Sequence, residues 1–274
     1  MGIAHATDKQ KALSDYGEDD NAYLWQKGLS LSDDMTLNSL SIANDNYAKQ
    51  LGEGRMLALT SGGLILEDVS WMAGASGIGE ENGGAANGSL VLGDATHPAY
   101  VWARGAADTP NQIWTPVTAP GGFVAAYTGN LVLGGDQTGI GDEIAVNAGT
   151  LVLGTTSTAC VLKRELPIRI YANATLSLPN AASATGNIVK FDGAAGWFGK
   201  VEVPAGVEAK CRKAYWRDYP ETAEWQSIPR GVYTGDAATA LATGATYDPD
   251  RFAGSGTVTV LKDDTSVPLL IKLR

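Results

Sequence analysis

The sequence predicts an all-β protein whose chain winds as a parallel β-helix (a solenoid) and ends in a cap of antiparallel strands. Three observations favour this class: a Leu-x-Leu segment recurs along the chain, most copies are 20 to 25 residues apart, and glycine is abundant. Glycine accounts for 34 of 274 residues, which is about 12% where about 7% is usual. No segment of similar length has a 3.6-residue apolar period with helix caps, so we expect little helix.

The repeated segment defines the predicted coil. Its copies cover residues 63–66, 88–93, 129–134, 149–154 and 174–178, with a looser copy at 199–203. Their starting positions are separated by 25, 41, 20, 25 and 25 residues, and the long step is about two short ones. A second strand precedes several copies, as at 144–149, with a corner of small residues between the two strands. A unit of this length suits one coil of a parallel β-solenoid.

Alternation within each copy predicts an inward column of leucines and an outward strip. The inward residues are Leu64, Leu66, Leu90, Leu92, Leu131, Leu133, Leu151, Leu153, Leu176 and Leu178. They would stack about 4.8 Å apart, and only a stack of coils can bury them. The apolar outward residues are Ile65, Val91, Val132 and Val152. This strip is either ordinary strand composition on a half-exposed face or a contact surface, which would suit a second copy of the chain.

Composition divides the chain into three parts. Residues 1–34 are charged and irregular, and we expect them to cap the first coil. Residues 35–206 carry the repeat, and the long step indicates an insertion around 94–128, rich in proline and aromatic residues, that folds over the sheet or forms one irregular coil. Residues 207–274 bring many aromatic and basic side chains, so we expect the C-terminal cap there. The apolar tail at 267–274 is expected to pack against a sheet edge.

Segment 127–154 resembles the autotransporter-associated β-strand repeat of bacterial surface proteins. The stretch Val-Asn-Ala-Gly-Thr-Leu-Val-Leu-Gly at 146–154 carries the most specific part of that pattern, and Thr138 replaces the aromatic residue usual before its middle glycine. The likeness extends loosely over 35–205, and segments 230–234 and 252–261 look like the closing part of such proteins. The resemblance implies a right-handed parallel β-helix, exported to the cell surface or into the extracellular space. It implies no reaction.

Charge and hydropathy argue against several partners. Thirty acidic residues against 20 basic ones give a net charge of −10, and the sequence has no basic cluster, so no nucleic acid partner is expected. No apolar run reaches the length of about 18 residues that a membrane span needs, so no membrane insertion by this segment is expected. The first eight residues lack the basic and apolar regions of a signal peptide, so we expect any export signal to lie outside this sequence.

Three aspartates are the candidate catalytic residues. Asp68, Asp94 and Asp136 follow their Leu-x-Leu strands by two or three positions and would line up at one corner. Carboxylates about 5–9 Å apart would support glycoside hydrolysis, and several together would bind Ca²⁺. The alternative is ordinary Gly-Asp turn chemistry. No His or Cys stands at zinc-ligand spacing, so no metal or cofactor other than Ca²⁺ is considered, and Cys160 and Cys211 are expected to be free thiols.

Aromatic residues of segment 94–128 are the candidate ligand contacts. Exposed rings of Tyr100, Trp102 and Trp114 would stack on sugar faces, whereas buried rings would cover the solenoid. The observations together favour a non-enzymatic structural or adhesive module of a secreted or cell-surface bacterial protein, which presents loops to host glycans or proteins. The alternative is a carbohydrate-active β-helix enzyme, either a polysaccharide lyase or a glycoside hydrolase. A third hypothesis is a fibre or tailspike segment that trimerises through the outward strip.

Overall fold

The computed structural model describes residues 11–44, 48–67, 76–106, 108–126, 129–194, 196–219 and 223–263. Its strands, in chain order, are β1 (Asn21–Trp25), β2 (Met35–Ala43), β3 (Met56–Leu66), β4 (Gly77–Ile78), β5 (Ser89–Leu92), β6 (Ala99–Ala103), β7 (Asn111–Ile113), β8 (Val117–Thr118), β9 (Phe123–Ala126), β10 (Asn130–Leu133), β11 (Gly135–Gln137), β12 (Ile144–Val146), β13 (Gly149–Leu153), β14 (Cys160–Leu162), β15 (Pro167–Ile170), β16 (Ala174–Ser177), β17 (Ile188–Gly193), β18 (Lys200–Glu202), β19 (Glu208–Cys211), β20 (Lys213–Asp218), β21 (Gln226–Ile228), β22 (Gly231–Thr234), β23 (Thr246–Tyr247), β24 (Phe252–Ala253) and β25 (Thr257–Val260). The helical segments are α1 (Ala237–Thr243) and 3-10 turns at Leu13–Asp15 and Gly84–Asn87. The predicted all-β class with little helix is confirmed.

The strands stack as coils with three faces. The long sheet has the order β1-β2-β3-β6-β9-β12-β15-β17-β20-β21, and all of these pairs are parallel except the last. The second sheet has the parallel order β24-β18-β16-β13-β10-β7-β4. The third face consists of the parallel pairs β5–β8 and β11–β14, joined by a bridge between Ala119 and Ile140. This arrangement is the predicted parallel β-helix.

The leucines of the repeat are all buried, but they do not form a single column. The first copy, in β3, lies on the long sheet beside β6, and the second copy, in β5, lies on the third face. The copies in β10, β13, β16 and β18 share the second sheet. All ten leucines belong to one apolar core, so the prediction that they point inward is confirmed and the prediction of one column is wrong. Alternation fixes only which side of a strand is buried, and any of the three faces satisfies it.

The four apolar outward residues consequently lie apart. Ile65 is on the long sheet, Val91 is on the third face, and Val132 and Val152 are on the second sheet. Val132 is itself buried. These residues therefore do not make one strip, and an oligomer contact along such a strip has no geometric basis.

The described residues of segment 94–128 are part of the stack, which fits the predicted alternative of an irregular coil and not that of a loop folded over the sheet. They contain β6 and β9 of the long sheet, β7 of the second sheet and β8 of the third face. Pro110, Pro116 and Pro120 each lie just outside a strand, where the missing N–H removes no bond from a ladder. The prolines and aromatic residues break the Leu-x-Leu pattern of the sequence without interrupting the coil.

Strand β3 turns a corner between two faces without ending. Its first half pairs with β5 and its second half with β6. Gly62 at the corner has a φ of +69°, and a Cβ at this position would lie 2.8 Å from the carbonyl oxygen of Pro98. The corner therefore requires glycine for its backbone conformation and for the close approach of the next coil.

The ends of the stack differ from its middle. At the start, β1 pairs in parallel with β2, so the segment expected to be only a cap, 1–34, already contributes a strand. At the other end, β19-β25-β22-β23 form a separate sheet in which β22 and β25 are antiparallel and the other pairs are parallel. Strand β24 returns to the second sheet beside β18. The tail at 267–274 lies outside the described residues.

The two cysteines are buried free thiols, as expected from their spacing. The backbone N–H of Cys160 donates to Ser183 Oγ at 3.2 Å, in the next coil. Burial raises the pKa of both thiols, that of Cys211 to about 12. Both side chains therefore stay protonated at neutral pH and behave as small apolar groups of the core.

Candidate functional site: the outer face of the long sheet

The long sheet presents every second side chain to the outside, and its parallel register aligns these side chains in rows across the strands. One row contains Ser39, Gly63, Tyr100, Val124 and Ala145. The next row contains Tyr23, Ser41, Ile65, Trp102 and Ala126. A ligand that lies across the strands therefore meets one side chain of a row about every 4.8 Å.

Tyr100 and Trp102 form the most prominent feature of this face. Both belong to β6 and are separated by one buried residue, so alternation points both rings outward. Their side chains are 42% and 41% exposed, their ring centroids are 6.4 Å apart, and their planes differ by only 25°. The flanking positions of the same rows hold shorter side chains, namely Gly63, Ile65, Val124 and Ala126. The two nearly parallel rings therefore project above shorter neighbouring side chains, and together they are called the aromatic platform below.

A second aromatic pair lies on the same face at the start of the stack. Tyr23 and Trp25 of β1 have ring centroids 6.4 Å apart, and their planes are tilted by 36°. Three strand spacings, about 14 Å, separate β1 from β6. Both rings are half-buried, so they offer less surface than Tyr100 and Trp102.

A polar group borders the aromatic rows. Glu67 pairs with Arg104 at 2.8 Å between Oε2 and Nη1, and it accepts a hydrogen bond of 3.0 Å from Ser41 Oγ. Burial, followed by the charge of Glu67, raises the pKa of the Tyr23 hydroxyl, which therefore stays a neutral donor at ordinary pH. The face thus combines aromatic rings with hydrogen-bonding and charged groups, which is the composition that orients a polar ligand with an apolar side.

Trp114, the third predicted ligand contact, does not belong to this face. Its side chain is only 3% exposed, and its indole N–H donates to Gln112 Oε1 at 2.9 Å. The ring lies over Gly134, where an added Cβ would be 2.0 Å from a ring carbon. Trp114 therefore covers the core, unlike Tyr100 and Trp102, and fits the buried alternative and not a ligand contact. Its position one residue after β7, at a corner of the coil, explains the difference.

The candidate carboxylates do not converge. Asp68 lies outside the described residues. Asp94 is in the exposed loop after β5 and accepts bonds from the N–H and Oγ1 of Thr96, both at 2.7 Å. Hydrogen bonds from Thr96 and then from His97 hold the pKa of Asp94 well below its usual range. Asp136 is within β11, opposite Val161, and accepts from the N–H and Oγ1 of Thr138 at 3.0 and 2.7 Å.

Both described aspartates therefore close local turns of the type Asp-x-Thr. Their positions in the coil differ, so they share no cleft, and the turn-chemistry alternative fits them better than catalysis does. Among the residues that the structure describes, no group of three His, Cys, Asp or Glu side chains is arranged to hold a metal ion. Within the same residues, no helix has the length and apolar character that a membrane crossing requires.

A cleft of about 680 Å³ lies in the C-terminal region, lined by Trp216, Tyr233, Tyr247, Asp248 and Arg251 among others. Its charged groups satisfy one another, because Arg251 Nε pairs with Asp248 Oδ2 at 3.0 Å. The Arg251 guanidinium also lies 5.3 Å from the ring centroid of Trp216. The Tyr233 hydroxyl donates to the carbonyl oxygen of Pro229 at 2.7 Å. These contacts hold the cap together and leave few polar groups directed at a ligand.

Comparisons with known proteins found no match to this chain among protein-family models, curated proteins or solved structures. Sequence reasoning missed Tyr23 and Trp25, although the signal was present. The pattern Tyr-x-Trp occurs in both β1 and β6, and on a strand this spacing places two rings on the same face.

Proposed function

We propose that the protein is a non-enzymatic adhesive module that binds a glycan across the outer face of the long sheet. The observation that carries this proposal is the exposed, stacked pair of Tyr100 and Trp102 above a floor of shorter side chains. The apolar face of a sugar ring packs on an aromatic face, while its hydroxyls need polar partners nearby. Arg104, whose side chain is 46% exposed and is held by Glu67, supplies such a partner at the border of the platform.

The shape of the surface supports binding more than catalysis. An open sheet face accommodates an extended chain without enclosing one bond of it, whereas catalysis uses converging acidic groups in a cleft that excludes water. The two described candidate aspartates are occupied in local turns. An adhesive role also agrees with a bacterial surface location, for which the resemblance to autotransporter repeats is the support. A host protein that presents an aromatic or apolar patch is the other partner we consider.

The test is glycan binding by variants of the aromatic platform. We expect the double variant Tyr100→Ala/Trp102→Ala to bind a polysaccharide panel at least about tenfold more weakly than the native protein, since two ring contacts are lost. Trp197→Ala is the matched control, because Trp197 is 65% exposed in the loop between β17 and β18 and lies away from this face. Affinity electrophoresis through glycan-containing gels measures both variants. Unchanged binding by the double variant, or no glycan binding by the native protein, would refute the proposal.

A further inference from the structure

The C-terminal half of the same outer face is cationic. Strands β15, β17 and β20 direct Arg169, Lys190, Lys213 and Arg217 outward, opposite in sign to the chain's net charge of −10. Asp192 of β17 is the carboxylate among these cations, and the exposed Asp218 ends β20. These cations are at positions 169, 190, 213 and 217, far apart in the sequence, and the winding of the chain brings them to one face. They therefore do not appear as a run of basic residues in the sequence. The sequence-based statement that no basic cluster is present therefore does not hold in space.

Burial places one carboxylate of this cluster, that of Asp192, beneath the cations. The side chain of Asp192 is 1% exposed, whereas those of Arg217, Arg169 and Lys190 are 10%, 16% and 25% exposed. Asp192 Oδ1 accepts from Arg217 Nε at 2.6 Å, and its other oxygen accepts from Arg169. A ligand approaching from solvent therefore meets Arg169, Lys190 and Arg217 before it meets Asp192, whereas Glu143 is as exposed as its partner Lys190.

Trp225 completes the cluster from the segment before β21. Its ring centroid lies 4.5 Å from the Arg217 guanidinium, 5.4 Å from Lys190 Nζ and 5.9 Å from the Arg169 guanidinium. These cation–π contacts hold the three cations around one half-buried ring. Lys190 also pairs with Glu143 at 3.3 Å, and both side chains are 25% exposed.

The register connects this cluster to the aromatic platform. The row of Tyr100 continues through Val124, Ala145 and Arg169 to Lys190. Val124 and Ala145, between the two parts, are small, so the floor stays low. The distance from β6 to β15 is three strand spacings, about 14 Å. A chain lying along this row meets rings at one end and cations at the other.

We infer that the ligand of this face is an acidic polysaccharide, whose carboxylate or sulfate groups bind at Arg169, Lys190 and Arg217. The inference rests on the proposed glycan-binding function and narrows it to one chemical class. A neutral glycan uses the aromatic platform alone, whereas an acidic one gains charge-assisted contacts at the cationic end. The Trp225 ring beside the cations adds a second stacking surface for the sugar that bears the charge.

The experiment compares one glycan backbone in charged and uncharged forms. Polygalacturonate and its methyl-esterified form carry the same sugar, and a sulfated glycan separates carboxylate from sulfate recognition. The native protein is expected to bind polygalacturonate more tightly than the ester. The preference should shrink when salt rises from about 0.01 M to about 0.1 M, where the Debye length falls from about 30 Å to about 10 Å.

Two substitutions with opposite expected effects on polygalacturonate binding test the acidic-ligand inference. Neither removes a partner of Asp192. Lys190→Met should weaken polygalacturonate binding about fivefold, the effect of losing one partly exposed charge contact, and should leave binding of the ester unchanged. Glu143→Gln should strengthen polygalacturonate binding, because it removes the carboxylate that competes for Lys190. Lys200→Met on the second sheet is the matched control, with the same charge change on a different face.

The possible failures are distinguishable. Equal binding of polygalacturonate and its ester, or no response to Lys190→Met and Glu143→Gln, overturns the acidic-ligand inference and leaves glycan binding intact. Binding of neither form by the native protein, together with none of a wider glycan panel, overturns the proposed function itself. Tighter, equally salt-dependent binding of single-stranded DNA, lost in Lys190→Met, overturns the inference in favour of nucleic acid.

Discussion

The middle coils and the C-terminal cap bury their apolar residues in different ways. In the second sheet, Leu131, Leu151 and Leu176 lie directly above one another in a parallel register. At the cap the core is aromatic: Phe252 meets Phe191 edge-on with ring centroids 5.5 Å apart, and it stacks on Tyr233 at 5.4 Å. Phe198 and Trp216 make a further edge contact at 5.8 Å.

This difference follows from the strand directions. In a parallel, in-register stack, each inward side chain lies directly above the equivalent side chain of the neighbouring strand. Side chains of one size therefore pack against one another along the stack. At the cap, β22 pairs antiparallel with β25 and parallel with β23, and the repeat of positions ends there. Large rings fill the irregular space between the last coil and the cap. The core of the coils is thus specified by the alternation of apolar residues, whereas the core at the cap depends on the shapes of particular aromatic side chains.

The largest expected effect is at the junction of the two regions. Phe252→Ala should lower the free energy of unfolding by about 4 kcal/mol, because the ring contacts both Phe191 of the coils and Tyr233 of the cap. Urea denaturation followed by circular dichroism and by tryptophan fluorescence measures this loss. If coils and cap form one cooperative unit, both signals shift together. A second, separate transition in either signal would show that the cap unfolds by itself. Tyr247→Ala, an exposed ring of the cap, is the control.

A somewhat smaller effect is expected inside the stack. Leu151→Ala removes a fully buried side chain between two other leucines and should cost about 3 kcal/mol. Leu241→Ala on α1 is the control, because Leu241 is 90% exposed and its removal should change stability by less than about 0.5 kcal/mol. Equal effects of the two substitutions in thermal unfolding would contradict the description of the leucine stack as the core.

The smallest effect concerns a contact that joins distant coils. Glu81 accepts hydrogen bonds from Thr155 Oγ1 at 2.6 Å and Ser157 Oγ at 3.0 Å. Hydrogen bonds from Thr155 and then Thr158 lower the pKa of Glu81 from 4.5. Because the pKa is lower in the folded state, this contribution is present above the unfolded pKa and is lost as pH falls through the folded value.

Glu81→Gln should therefore reduce stability by about 0.5–1 kcal/mol at neutral pH, a modest value for an ion on the surface. The difference from the native protein should vanish in acid, once Glu81 is protonated in both states. Urea titrations at a series of pH values give this dependence. Glu80→Gln is the control, because the neighbouring Glu80 is exposed and the substitution makes the same charge change. A difference that grows in acid would be inconsistent with the hydrogen-bonded carboxylate.

The parts of the fold predicted from the sequence are those that depend on alternation alone. Leu151 and its counterparts are buried as expected, because period-two patterning specifies a face regardless of the neighbours. The prediction that all copies lie on one face was wrong. The number of residues between two copies does not show how many corners of the coil separate them. Composition left Trp114 open as an exposed or a buried ring, and its corner position, which a sequence does not report, buries it. The cationic cluster depends on register between strands, which a single sequence does not contain.

The placement of similar leucine segments on different faces has a consequence for how such chains diversify. A duplicated motif that enters the chain a third of a turn out of step still faces the axis, because each side of the three-sided cross-section accepts it. The number of copies can thus change without each copy keeping its face of the coil. Two chains of this kind whose motifs align well can therefore carry their binding residues on different faces.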